Sequence, residues 1–352
     1  MHVCNLMEGK RYEYIDIAKG VVIILMVLGH SSLPWYPQRW IFSFHMPFFF
    51  LISGLMTNWE KNGIREFVSK KVLTLLIPFV IYSLIVLLLT PLYSDKTIGT
   101  HSWQIMTKGW EGMALWFVPV LFFSQVVCYY ILRWSLLNKC VALIAMMLVT
   151  YLYRDHVELP WTLYCIPYAS SFVIIGALLK SALLTLQNAS QGKAFSILTG
   201  CVILSLIAPL VSAVDMSCNK VYNFIPAYIG AIAGSFAVLL ACMRFEKWKI
   251  TTIWLQKCGQ NTFVVVAFSQ IIIMIINYNQ ILSPQYSFLK YVILVVALVA
   301  IAQMKKHVLV YRIGSSHVRT VPRQRRQGKR DVLVARAALP RRKPVPLPGA
   351  PT

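Results

Sequence analysis

Apolar windows of about 17–22 residues recur along most of the chain, separated by short polar breaks. A helix of that length crosses the hydrocarbon core of a bilayer. The windows fall at 14–33, 40–57, 72–92, 113–133, 139–154, 163–181, 194–214, 221–243, 261–278 and 287–304, the second and fifth being short. The pattern predicts an all-α fold: a polytopic membrane helical bundle of about ten transmembrane helices. Pro47, Pro78, Pro119, Pro167 and Pro226 fall inside these windows. They are tolerable there because neighbouring helices satisfy the freed backbone groups.

Four ionisable residues interrupt the first two windows or sit at their ends: Asp16, Lys19, His30 and His45. An Asp or Lys at mid-helix costs about 2.5–3.5 kcal/mol to insert, so several kept close together suggest a use. Eleven steps of about 100° return His30 to nearly the face of Lys19, roughly 16 Å along the axis, and Asp16 lies one turn before Lys19. One polar stripe therefore runs along the first helix, and in lipid it must face protein or a water-filled cavity.

Composition agrees with a membrane protein: 58% of the 352 residues are hydrophobic, 13% are charged, and mean hydropathy is +0.64. The net charge of +22 resembles a nucleic-acid signature, but its distribution favours membrane orientation and no nucleic-acid partner. With the N-terminus inside, the inner segments before the tail hold about fourteen Lys and Arg and the outer ones about six. Both termini are then expected in the cytoplasm, with Lys19 near the inner interface and His30 and His45 toward the outer side. Lys10 and Arg11 precede the first window and no small-residue cleavage site follows it, so an uncleaved first span is expected. The eight cysteines form no C-x-x-C pair and read as packing residues; no metal site is expected. From about His307 arginine and proline replace the apolar text. We therefore divide the chain into a transmembrane domain, 10–304, and a basic Pro/Arg-rich tail, 307–352, expected to be disordered near anionic lipid. A change of reading frame is the alternative origin of that tail.

The stretch YIDIAKG (14–20), LGH (28–30) and FSFHMPFFFLISG (42–54) resembles the acyltransferase-3 family of membrane proteins, and most closely its fucose 4-O-acetylase-like, sugar O-acetyltransferase branch. The resemblance continues through KKVLTLLIPF (70–79), ALWFVPVLFF (114–123), LPWTLYCIPY (159–168) and GQNTFVVVAFSQ (259–270). That family carries a basic residue, ten intervening residues and a histidine in its first helix; Lys19 and His30 have this spacing, with Lys where many members have Arg. Two positions depart from the pattern: Thr74 where relatives commonly have a basic residue, and Ser269 where they often have a histidine.

The resemblance implies an O-acetyltransferase of the bacterial cytoplasmic membrane. It would move an acetyl group from acetyl-CoA, or another acyl-CoA, to a hydroxyl of a glycan or lipid-linked sugar, with membrane lipids around it and no bound cofactor. His30 and His45 are the candidate catalytic residues, since a neutral imidazole takes a proton from an attacking hydroxyl near pH 7. For each the alternative is structural: a packing hydrogen bond for His30, and the bend at Pro47 for His45. Asp16 and Lys19 either pair for burial or help to hold the donor and order the path to His30. Lys70 and Lys71 are candidate contacts for donor phosphates, against a plain positive-inside charge run. The reading from another class is a transporter of a small polar solute or glycan precursor, because intramembrane charges also mark substrate pathways. A degenerate, inactive member is a third, on account of Thr74 and Ser269.

Overall fold

The computed structural model describes residues 12–30, 33–109, 114–154, 159–245 and 249–280, together with Val296. Within them the chain is a helical bundle with one small hairpin. Helix α1 spans Glu13–Gly29 and α2 spans Trp35–Met56. α3 (Ile64–Lys71) runs through a π-helical turn (Val72–Leu76) into α4 (Ile77–Leu88). α5 (Ile98–Lys108) precedes α6 (Phe117–Ile131), α7 (Leu136–Tyr153) and α8 (Ile166–Leu178). α9 (Lys180–Gln187) is short and leads to α10 (Gln191–Val211). Strands β1 (Ala213–Asp215) and β2 (Lys220–Tyr222) pair antiparallel before α11 (Phe224–Phe245), α12 (Lys249–Gln260) and α13 (Thr262–Tyr278).

Six of these stretches are long and apolar enough to cross a membrane, or seven if the bent pair Ile253–Gln260 and Thr262–Tyr278 counts as one. The chain is a multi-pass membrane protein, and among the described residues six or seven such spans are found, not ten. α1 stops at Gly29, where the His30 backbone leaves helical geometry (φ −89°, ψ 2°), and so falls short of the expected 14–33. α6 is only 15 residues, because its first turn is the tighter Ala114–Trp116. The window 287–304 and the tail from 307 lie outside the described residues. Other windows lengthen: α2 starts at Trp35, before the expected 40, and α7 starts at Leu136, where Ser135 accepts a hydrogen bond from the Asn138 N–H as an N-cap. The expected 72–92 begins instead at Ile64, through the charged α3.

Burial sorts the helices into centre and rim. α2 lies in the middle, packed by α1, α8, α10 and α11. On α7, Leu137, Val141, Ile144, Leu148 and Leu152 are exposed at steps of three and four, as are Val80, Leu84 and Leu88 on α4. That spacing places each set on one helix face, the face a bilayer would cover.

In lipid the hydrophobic effect does not drive helix against helix, so close backbone approach matters more. A Cβ at Gly54 would collide with the Val173 carbonyl, and one at Gly176 with the Leu51 carbonyl, so α2 and α8 meet backbone to backbone. α1 and α12 repeat the arrangement: Gly20 sits on the Leu255 carbonyl and Gly259 on the Asp16 carbonyl.

The hairpin was not foreseen by the helix periodicity. Its register pairs Val214 with Val221, both buried, and Asp215 with Lys220. Asp215 Oδ1 accepts from the Ser217 and Cys218 N–H groups, a local turn that competes with helix, and Asn219 takes the left-handed conformation (φ 54°) that closes it.

Candidate functional site

His30 and His45 come together. His30 caps the end of α1, and its Nδ1 lies 2.8 Å from the Met26 carbonyl. His45 is buried within α2, with Nδ1 2.9 Å from the Ile41 carbonyl. Their ring centroids are 6.1 Å apart with the planes at 84°, and Phe42 lies against both, 5.1 Å from His30 and 5.2 Å from His45. Gly29 permits this approach: a Cβ there would lie 3.0 Å from the Phe42 ring and 3.1 Å from the Ile41 side chain. Gln38 also reaches across, its Nε2 donating to the Gly29 carbonyl at 3.1 Å.

The two backbone contacts fix the tautomer. A carbonyl oxygen only accepts, so each Nδ1 must carry the hydrogen, and each neutral ring keeps a bare lone pair on Nε2. Among the described residues neither Nε2 has a hydrogen-bond partner. Both neutral imidazoles thus carry the open lone pair on Nε2. Pro47, two residues along α2, has no N–H and so removes the helical bond to the Ser43 carbonyl, loosening the helix next to His45.

Asp16 and Lys19 form a second pair at the other end of α1. Lys19 Nζ is 3.5 Å from Asp16 Oδ1, with Asp16 buried and Lys19 part-exposed. Gly259 of α12 packs on the Asp16 backbone. The helix keeps this pair roughly 16 Å from His30 along its axis, so the polar stripe is two separate clusters with the apolar Ile23 and Val27 buried between them. Lys70 is bound to Glu66 (Nζ–Oε1 2.6 Å) on an exposed face of α3. Lys71 starts the π-helical turn, its ammonium 5.3 Å from the Phe67 ring. The structure therefore joins His30 with His45 and Asp16 with Lys19, and brings Lys70 and Lys71 to neither.

The two departures from the family pattern are engaged locally. Thr74 Oγ donates to the Lys70 carbonyl at 2.8 Å, and the fully buried Ser269 donates to the Val266 carbonyl at 3.2 Å. All seven described cysteines are free thiols. Among the described residues no three His, Cys, Asp or Glu side chains converge as metal ligands would.

One acid was missed by the sequence reading. Asp215 lies on β1, which packs on α2, the helix that carries His45. The hairpin presents Asp215 rigidly, since Oδ1 accepts from the Ser217 N–H (3.0 Å), the Ser217 hydroxyl (2.6 Å) and the Cys218 N–H (3.3 Å). The available signal was D-x-S: an acid two residues before a serine, in a break between windows of a strongly basic chain.

The fold is thus a bundle of helices long and apolar enough to cross a membrane, with two imidazoles packed together inside it. The chain belongs to the acyltransferase-3 family: the family model described as an acyltransferase domain matches residues 12–304. Membership assigns it acyl transfer in general. No curated protein and no solved structure matches the chain.

Proposed function

We propose that the protein is an O-acyltransferase that moves an acyl group, acetyl in the first instance, from a coenzyme A thioester to a hydroxyl of a glycan or lipid-linked sugar. The observation that carries this reading is the His30–His45 pair, two rings with Nδ1 committed to carbonyls and Nε2 left to accept. Acceptor oxygen and base must lie within hydrogen-bond reach for such catalysis, and Nε2 of His30, at the helix end, is the more accessible of the two.

In the reaction, His30 Nε2 takes the hydroxyl proton as the oxygen attacks the thioester carbonyl. The tetrahedral intermediate collapses, the C–S bond breaks, and the imidazolium returns the proton to the departing thiolate. Free coenzyme A and an ester result, and the histidine ends as it began. His45 orders the hydroxyl beside His30, and Asp215 stabilises the transient imidazolium. Asp16 and Lys19 order the far end of the path, and Lys70 and Lys71 attract the donor to the same end. We place both termini in the cytoplasm of a bacterial cell, with the shorter α1 and α6 crossing alongside the long helices. The fucose 4-O-acetylase-like branch is our reading of the acceptor class.

A transporter would move solute between compartments without changing its mass. Supplying acetyl-CoA to membranes carrying the protein, then measuring free coenzyme A and acceptor mass, separates the two. Coenzyme A release with an acceptor heavier by one acetyl group supports the transferase; solute movement with neither change supports transport.

A further inference from the structure

Past the C-terminal end of α2 lies a cleft of about 290 Å³. Three lysines from three parts of the chain line it: Lys61 after α2, Lys139 in the first turn of α7 and Lys180 at the start of α9. Glu60 is the one carboxylate among its lining residues, so the cleft is cationic. Lys139 and Lys180 are half-buried, and among the described residues neither forms an ion pair.

The wall that carries Lys61 is held in place. Arg133 donates to the Trp59 carbonyl at 3.0 Å and the Asn62 carbonyl at 2.7 Å, on either side of Lys61, and stacks 3.9 Å from the Tyr129 ring. Trp59 Nε1 donates to the Gly54 carbonyl at 3.1 Å. Behind the cleft wall two separate polar contacts meet at Ser53. Thr57, a lining residue, donates its hydroxyl to the Ser53 carbonyl at 2.7 Å. Gln125 Nε2 donates to the Ser53 hydroxyl at 2.8 Å. Gln125 is buried at 3% exposure, and its Oε1 has no hydrogen-bond partner. A buried amide oxygen left unmatched is costly unless something donates to it. Ser53 lies eight residues along α2 from His45, roughly 12 Å.

We propose that this cleft is a binding site for a phosphate ester, its phosphate held by Lys139, Lys180 and Lys61. A phosphate has several acceptor oxygens and lysine offers three donors, so lysines lining one cleft suit it as point charges. Two sources carry that chemistry: the phosphates of a coenzyme A donor and the headgroup of an anionic phospholipid. Assignment to the donor rests on the acyl-transfer reading; the phosphate site itself does not.

The test uses the full chain in zwitterionic nanodiscs, with coenzyme A as one probe and added phosphatidylglycerol as the other. Lys139→Gln with Lys180→Gln should weaken binding of one probe by about tenfold or more, since two charge-assisted contacts are lost. Lys139→Arg with Lys180→Arg should restore most of it, and an unchanged size-exclusion profile reports folding. Loss of coenzyme A binding identifies the donor as source, and loss of phosphatidylglycerol binding alone identifies lipid. Either supports the site, whether or not the wild type transfers acetyl groups. Wild-type affinity for both probes in the double Gln variant would overturn it. His30→Ala, which leaves the cleft intact, should bind coenzyme A as the wild type does.

Discussion

An imidazole whose Nδ1 donates to a carbonyl one turn earlier on its own helix is an oriented base, and here two such rings stand 6.1 Å apart. Positioned general bases contribute about 10²–10⁴-fold. His30→Ala should therefore lower transfer by at least about a hundredfold in a labelled-acetyl assay, with expression and membrane insertion unchanged. Asp215→Asn removes the charge but keeps the turn, because an amide oxygen still accepts from Ser217 and Cys218. It should reduce kcat by roughly tenfold, about 1.4 kcal/mol of transition-state stabilisation, with little change in KM for either substrate. A raised KM at constant kcat would place Asp215 in substrate binding instead. His30 and His45 were legible in the sequence because a charged or imidazole side chain stands out in an apolar window. Asp215 was not, since an acid in a polar break looks like any other and its position depends on a hairpin packing against α2.

At the scale of elements, the two glycine contacts set how α1 and α2 are held. Gly54→Val or Gly176→Val would push α2 and α8 apart at a backbone contact. Overpacking of this kind costs about 1–3 kcal/mol, and either substitution should lower the thermal midpoint in detergent measurably. Gly29→Leu is a more local test. It would place a side chain where Phe42 and Ile41 pack, and should reduce transfer more than it reduces thermal stability. Window periodicity found most long helices but misplaced their ends, for reasons visible at single residues. Ser135 caps α7 early, His30 ends α1, and charged Ile64–Lys71 joins α4 without a break in the helix. Along the stripe from Asp16 to His30 the structure shows what the sequence left open, how the residues between the two ends are packed. Equal angles on a helix wheel say nothing of what packs between, and buried Ile23 and Val27 divide it.

For the whole molecule, the proposed reaction needs two ends that differ: a basic end that receives the donor and an end where imidazoles meet the acceptor. The lysine cleft lies past the C-terminal end of α2 and the histidine pair beside its middle, with Ser53 between them along the helix. From the bias of Lys and Arg we propose that the cleft end faces the cytoplasm. Single cysteines at Lys61 and at Gln38, in a variant lacking the native thiols, should react with an impermeant maleimide from opposite sides of sealed vesicles. Labelling of both from one side would refute that orientation. The most direct measurement of the central claim compares membranes containing the wild type with membranes containing His30→Ala, each given acetyl-labelled coenzyme A, and follows label into glycan and lipid-linked sugar fractions. The account predicts label in one of those fractions with the wild type and none with the variant. Equal incorporation by both proteins would contradict it.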